Sequence, residues 1–274
     1  MKNIFTLLFV VLFQAVSFGQ QAPKFQLIRN ATFILDYNGT KFLFDPMFAK
    51  KGEHFSITGK LKSPLVDLPV PVNQIIKNTD AVVVTHTHFD HFDEFAANAV
   101  NKNMPVIHKS FDKKFLTDNN FNNLTEINDS LVYNNTTIIS TYAQHGTGDA
   151  LALMGEVSGY ILKAKNQPTI YIVGDAVWTQ DIYNYINKYN PDYIVINSGG
   201  ALMPQFRSTP IIMDEFQAMS VVQEAKNGKV IAIHMDAIDH CETTREILKA
   251  MALKNNISNK KLLIPNDGEL MELK

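Results

Sequence analysis

The stretch Ala81–Asp93 reads AVVVTHTHFDHFD, and its two halves need different surroundings. Ala81-Val82-Val83-Val84-Thr85 is a continuous, largely β-branched run, the pattern of a strand buried on both faces. It then breaks into His86, His88, Asp90 and His91. Burying these side chains without partners is costly, because ionisable groups lose their hydration. Coordination of a cation removes that cost, since imidazole nitrogens and carboxylate oxygens are good ligands for zinc-type ions. In an extended segment His86 and His88 point the same way and reach one ion. Asp90 and His91 follow where the chain must turn, and can face a second ion beside the first. The alternative is a solvated loop without metal. Four such residues within six positions, directly after a buried strand, argue against it.

HTHFDH at His86–His91 resembles the H-x-H-x-D-H motif of the metallo-β-lactamase superfamily. The resemblance implies an α/β protein, a four-layer αββα sandwich of two mixed β-sheets face to face with outer helices. It also implies a two-metal site at one edge of that sandwich. Three later segments can be set against the family pattern. Thr136–Tyr142 reads as a strand and delivers Gln144-His145-Gly146. Tyr171-Ile172-Val173-Gly174-Asp175 is a hydrophobic strand ending in Gly-Asp, and Val230–Ile233 is another that ends at His234. Alone, His145 is unremarkable and Asp175 is better read as a turn or cap residue. Carried over position by position, the resemblance gives His86, His88 and His145 to one metal, Asp90, His91 and His234 to the second, and Asp175 to both. The bridging aspartate separates the chain from a typical β-lactamase.

Around this frame the composition is ordinary. The chain has 274 residues, 46% hydrophobic and 19% charged, with a formal net charge of −2. Those values fit a globular protein and exclude a disordered one. No basic tract stands out, so nucleic acid is not an expected partner and a small-molecule substrate is. Met1–Gln20 stands apart: Lys2 is followed by the apolar stretch Ile4–Val16 and then Ser17-Phe18-Gly19, a secretory signal pattern. Cleavage after Gly19 leaves residues 20–274 as one domain and, by removing Lys2, takes the net charge from −2 to −3. The apolar stretch is short against the roughly 20 residues of a membrane span, so no stable anchor is expected and the mature protein is secreted or periplasmic. Cys241 is the single cysteine, which rules out an internal disulfide; a small buried hydrophobe is its expected role.

Taken in order, Lys24–Arg29 and Thr32–Tyr37 alternate apolar and polar residues as half-buried strands do. Asn38-Gly39 is a strong hairpin signal and Lys41–Asp45 returns as a strand. The opening RNATFILDYNGTKFLFDP is similar to that of the ascorbate-6-phosphate lactonase-like and N-acyl-phosphatidylethanolamine phospholipase D-like branch. Members there often carry histidine where this chain has Asn30, so no role of that histidine transfers. Phe48–Val72 lacks periodicity and reads either as a substrate-side loop holding His54 and Phe55 or as a solvated one. Helices are expected over Pro71–Lys77, Phe92–Val100, Ser110–Leu116, Thr179–Lys188, about a dozen residues from Ile212 with Asp214 as cap, and Glu242–Leu253. Strands are expected at Val106–His108, Val157–Lys163, Thr169–Val173, Asp192–Asn197 and Lys261–Pro265. Trp178 is read as a wall of the pocket, and Arg207 as either an anion-binding or a solvated arginine.

The implied chemistry follows from charge. Two divalent cations lower the pKa of a shared water, from 15.7 to about 7 in the best single-zinc case, and stabilise charge developing on a substrate oxygen. The expected reaction is hydrolysis of a small ester, lactone or phosphoester. Zinc is the expected metal, with manganese or iron acceptable to a mixed nitrogen and oxygen donor set. Asp90 can both hold metal and orient the nucleophile. His240 and Asp236 are candidates for the group that protonates the leaving atom, or are surface polar residues. The competing readings are a metal-holding protein without turnover and a phosphodiesterase or nuclease of the superfamily.

Overall fold

Alternation over residues 24–44 makes three antiparallel strands. They are β1 (Lys24–Arg29), β2 (Thr32–Tyr37) and β3 (Thr40–Phe44). Asn38 and Gly39 join the last two at φ 53° and 78°, the left-handed pair that a two-residue hairpin of this kind requires. The chain, described here by a computed structural model over residues 21–274 apart from Asn78 and Arg207, then changes to strand–helix alternation. The signal reading of Met1–Gln20 and the reading of Arg207 lie outside the described residues.

Helix α1 (Val72–Lys77) leads into β4 (Ala81–Val83). Then come α2 (Glu94–Ala99), β5 (Val106–His108), α3 (Lys113–Asp118) and β6 (Leu124–Glu126). The second half repeats the plan. It begins with β7 (Ser130–Tyr133), β8 (Thr136–Ala143), α4 (Asp149–Met154), β9 (Val157–Lys163) and β10 (Ile170–Ile172). It continues with α5 (Gln180–Tyr189), β11 (Tyr193–Asn197), α6 (Glu215–Glu224) and β12 (Lys229–Ile233). The chain closes with α7 (Arg245–Lys254), β13 (Leu262–Leu263) and β14 (Leu270–Glu272). The strand orders are β14-β1-β2-β3-β4-β5-β6 and β13-β12-β11-β10-β9-β8-β7, seven strands in each sheet. Each sheet is antiparallel along its early strands and parallel after the first crossover, with Leu43 beside Val82 in one and Ile172 beside Val195 in the other.

The four layers follow from the period of two along each strand. Phe25, Phe33, Phe44 and Val83 point inward from the first sheet and meet Leu162, Ile172, Val195 and Ile231 from the second. Phe33 stacks between Phe25 and Phe44, with ring centroids 4.7 and 4.6 Å apart. Val82, Val84 and Val106 face outward onto Ala96, Ala97 and Leu116 of α2 and α3. Ile161, Ile194 and Ala232 face the other way onto Ile182, Val221 and Leu248 of α5, α6 and α7. The fully apolar strand that decides the fold is therefore buried on both faces, as its composition requires.

Some boundaries move. Helix α2 begins at Glu94 rather than Phe92, because the Asp93 carboxylate caps it by accepting from Ala96 N–H. The helix read from Glu242 starts at Arg245 for the same reason, with Thr244 as its cap. The helix read from Ser110 opens as a single tight turn and runs on to Asp118. The strand read over Lys261–Pro265 shortens to Leu262–Leu263. Helix α4 and strand β14 were not expected. β14 returns the chain's end to pair antiparallel with β1.

Asp112, ahead of α3, has a consequence for stability. It is 1% exposed and makes no capping bond, and neither carboxyl oxygen has a hydrogen-bond partner of good geometry. Burial pushes its pKa up to about 7. A carboxyl raised in the folded state holds its proton there at pH values where the unfolded chain has lost it. Its contribution therefore disappears as pH rises from about 4 through 7. Asp112→Asn is expected to stabilise the protein at pH 8 by on the order of 2 kcal/mol and to have no effect at pH 4. Denaturant unfolding of both forms at the two pH values checks this.

Candidate metal centre

The parallel strands deliver their ends to one edge. Beyond β4 the backbone continues through Val84, whose N–H donates to Ile107 C=O, to Thr85, whose N–H donates to the Asp45 carboxylate. The N–H groups of His91 and Phe92 then both donate to His88 C=O, closing the turn between His86 and His88 on one side and Asp90 and His91 on the other. His145 follows β8, Asp175 follows β10 and His234 follows β12. Gly174 is needed at its place: it sits at φ 75°, and a Cβ there would lie 3.0 Å from Ser158 C=O. His234 itself is left-handed at φ 66°.

The seven expected side chains meet at this edge. His86 Nε2 is 3.0 Å from His88 Nδ1, and both are grouped with His145. His91 Nε2 is 3.2 Å from His234 Nε2, which lies 3.3 Å from Asp90 Oδ2. Asp175 stands between the two triads. Its Oδ2 is 3.2 Å from His91 Nε2, 3.5 Å from His145 Nε2 and 3.9 Å from His86 Nε2, and its Oδ1 is 3.8 Å from His234 Nε2. Asn197 Nδ2 donates to that Oδ1 at 2.6 Å and fixes the carboxylate's rotation.

The outer nitrogens of His86, His91, His145 and His234 are spoken for. His91 Nδ1–H donates to Asp45 Oδ2 at 2.8 Å, and His145 Nδ1–H to Ile211 C=O at 2.8 Å. His86 Nδ1–H donates to Thr85 Oγ1 at 3.1 Å, whose own hydroxyl donates to Asp45 at 2.6 Å. His234 Nδ1 faces Cys241 Sγ at 3.7 Å. Each of these tautomers leaves Nε2 as the inward lone pair, which is how metal-binding histidines are oriented. Asp45 thereby aligns one ring of each triad, His91 directly and His86 through Thr85.

Charge gives the same fit. Burial pulls His86, His88 and His145 below an ordinary imidazole, His88 to about 4, so all three are neutral at pH 7. Around His91 and His234 burial acts in the same direction but is outweighed, by Asp175 and Asp45 for His91 and by Asp175 and Asp90 for His234. His91 is held at about 10 and His234 well above its usual value. Burial opposes ionisation of Asp90 and Asp175, yet the facing histidines keep both well below the carboxylate range. Two buried carboxylates, Asp90 and Asp175, thus demand positive charge at one point, and protons on His91 and His234 can meet that demand. Divalent cations held by the two triads would meet it more fully, releasing those protons.

A cavity of about 170 Å³ opens onto the cluster. Its floor is His88, Asp90, His145, Asp175 and His234, and its walls include Phe55, Ile57, Phe89, Met154, Met203 and Ile211. His240 also lines it, 4% exposed, with Nδ1 unpartnered. Asp236, its companion in the sequence reading, is not in the lining. Its Oδ2 is 2.9 Å from the Arg245 guanidinium, which also pairs with Asp267, so its carboxylate is tied to the base of α7. Trp178 does not wall this cavity either: it packs against the core beneath α5 and α6 and donates its backbone N–H to Gln217. His108 is buried and donates Nδ1–H to Lys109 C=O, and it belongs to none of the metal-holding groups. The residues to which sequence reading gives no role at the site are Asp45, Asn197 and Asn30. Asn30 is fully buried, with Nδ2 donating to Asp90 C=O at 3.0 Å and lying 3.3 Å from His234 Nε2.

The pattern of the beta-lactamase superfamily domain matches residues 40–235. The UPF0173 protein YddR of Bacillus subtilis (strain 168) is 35% identical over 248 residues, covering 88% of this chain and 96% of that one. Among solved structures, a possible metal-dependent hydrolase from Veillonella parvula DSM 2008 superposes with a TM-score of 0.89 at 34% identity, covering 92% of this chain and all of the other. An isothiocyanate hydrolase from Delia radicum gut bacteria superposes at 0.85 with 36% identity, covering 90% and 98%. Fold, sequence and clustered histidines agree: the chain belongs to the metallo-β-lactamase superfamily, among its metal-dependent hydrolases.

Proposed function

We propose that this protein is an exported hydrolase that holds two divalent cations, zinc by preference, and cleaves a small uncharged electrophile. Isothiocyanates come first among the candidates, with neutral esters and lactones next. The observation that carries the reading is the small, mostly apolar cavity that opens directly on the histidine–aspartate cluster. The described lining is mostly apolar side chains above the cluster, which suits an uncharged substrate. The 36% identity to a protein named isothiocyanate hydrolase supports the first choice of substrate. Export rests on the leader pattern at Met1–Gln20.

When bound, two cations supply Lewis acidity and a nucleophile at neutral pH. The chain's own residues do the rest. His86, His88, His145, Asp90, His91, Asp175 and His234 fix the two positions. Asp90 is grouped with the second triad yet also lines the cavity, where it can orient the attacking oxygen. The Phe and Met walls exclude bulk water, which strengthens every charge interaction inside. His240 is neutral at pH 7, since burial lowers its pKa, and its side chain lines the cavity. As a base it can take a proton from the attacking water, and as the imidazolium so formed pass it to the atom that leaves. For an isothiocyanate, water adds its oxygen to the central carbon, the carbon–nitrogen bond breaks, and nitrogen takes both protons. The products are an amine and carbonyl sulfide, which balances one water consumed.

The test is turnover by zinc-loaded protein, read as amine release on an isothiocyanate panel and as acid release on ester and lactone panels. Metal-dependent turnover is expected, with His88→Ala inactive. His240→Gln is expected to lower kcat by about 100-fold with metal content unchanged. Absence of turnover by metal-loaded protein on every panel would refute the proposal.

A further inference from the structure

The long loop between β3 and α1 is fastened at two points. At its start the buried Asp93 carboxylate accepts from Phe48 N–H at 2.9 Å and Ala49 N–H at 2.7 Å, and faces His54 Nε2 at 3.2 Å. Further along, the Asp239 carboxylate gathers Ser56 Oγ at 2.5 Å, Thr58 Oγ1 at 2.6 Å, Thr58 N–H at 3.0 Å, Ile57 N–H at 3.1 Å and Ser63 Oγ at 3.4 Å. Leu65 N–H donates to Ala237 C=O beside it. Asp239 immediately precedes His240, so the strap joins the first half of the chain to the second across the mouth of the cavity.

Phe55 stands between the two fastenings and Ile57 within the second, and both are in the cavity lining. Phe55 is 60% exposed, although the backbone around it is held by charge-assisted hydrogen bonds. Its ring lies 4.7 Å from that of Phe89, tilted by 42°, and Phe89 in turn meets the edge of His54 at 5.1 Å. Phe89 is the residue between His88 and Asp90. A large apolar ring kept rigidly at a cavity mouth, with a second ring beside the metal cluster, is arranged for an apolar occupant rather than for solvent. The volume sets its size: a cavity of roughly 150 Å³ accepts benzene.

We propose that Phe55, Ile57 and Phe89 form an aromatic subsite for the substituent of the substrate that does not react, an aryl or short arylalkyl group. Asp239 is the positioning residue that holds this subsite in place. The inference rests on the reading of the adjacent cluster as a hydrolytic site, and deepens it by naming the class of substituent.

The experiment compares benzyl with methyl members of one isothiocyanate series, and of one acetate ester series, on zinc-loaded wild type, Phe55→Ala and Asp239→Asn. Binding of unreactive benzyl alcohol is followed in parallel by saturation-transfer NMR. Wild type is expected to prefer the benzyl member. Phe55→Ala is expected to reduce that preference by about 10-fold, through KM for the benzyl member. Asp239→Asn is expected to do the same, with an unchanged metal content that a general folding defect would not leave. Benzyl alcohol bound by wild type and lost in Phe55→Ala, without hydrolysis of any substrate, upholds the subsite while the hydrolase proposal fails. Hydrolysis of both members with a preference untouched by Phe55→Ala and Asp239→Asn overturns the subsite while the hydrolase proposal stands.

Discussion

Asp175→Ala is expected to lower turnover by about 1,000-fold or more, because removal of even an outer partner of a metal ligand costs roughly 10- to 100-fold. Among the described residues Asp175 is the one carboxylate that reaches both triads, with Oδ2 near His91, His145 and His86 and Oδ1 near His234. Without it, no carboxylate among the described residues is grouped with histidines of both triads. Retained metal is expected to fall below two equivalents per chain. The loss also strands the Asn197 amide, which donates to Oδ1 and is buried. Asp175→Asn separates shape from charge, since it keeps the volume and one oxygen but cannot balance two cations. Metal analysis together with kcat, measured on both variants, checks the expectation. A two-metal, fully active Asp175→Ala protein would break the assignment of the bridge.

Asp45→Ala is the second large effect, and it acts on stability as well as on the site. Three buried donors converge on this carboxylate: Thr85 N–H, the Thr85 hydroxyl and His91 Nδ1–H. A buried donor left without an acceptor costs about 1–3 kcal/mol, so the variant is expected to lose on the order of 4 kcal/mol of stability. His91 loses its orienting partner, and His86 loses the Thr85 hydroxyl's anchor. Zinc affinity is expected to fall about 10- to 100-fold. Asp45→Asn is expected to recover part of the stability, because the position is left-handed at φ 42°, which asparagine tolerates, and an amide oxygen can still accept. Denaturant unfolding and chelator competition for zinc measure the two parts separately. Affinity within twofold of wild type would show that Asp45 does not align the ligands.

How much of this could be read beforehand depended on how local each signal is. The buried strand and the burst of ligands after it, Ala81–His91, sit in one window, and their side-chain types alone state the conflict that a cation resolves. His145, Asp175 and His234 were legible only by setting strand ends against a known motif, since each is an ordinary residue in its own neighbourhood. Asp45, Asn197 and Asn30 were not legible in that way, because an outer partner is defined by what the closed sandwich brings against it. Asp45 looked like the end of a strand before a proline. His240 and Asp236 were equivalent on paper. The left-handed backbone at Asp236, φ 62°, turns the chain there, and its carboxylate pairs with Arg245, which leaves His240 in the cavity. Strand β14 was missed because its residues are half-buried to exposed, and its partner is the first strand of the chain, far away in sequence. Helix α4 was missed because six residues between two glycines carry little periodic signal.

The most direct measurement is anomalous X-ray scattering at the zinc edge from crystals of zinc-loaded protein. Two peaks roughly 3.5–4 Å apart are expected. One should lie on His86 Nε2, His88 Nδ1 and His145 Nε2, the other on His91 Nε2, His234 Nε2 and Asp90, with Asp175 touching both. A single peak, or peaks remote from these nitrogens, would contradict the account.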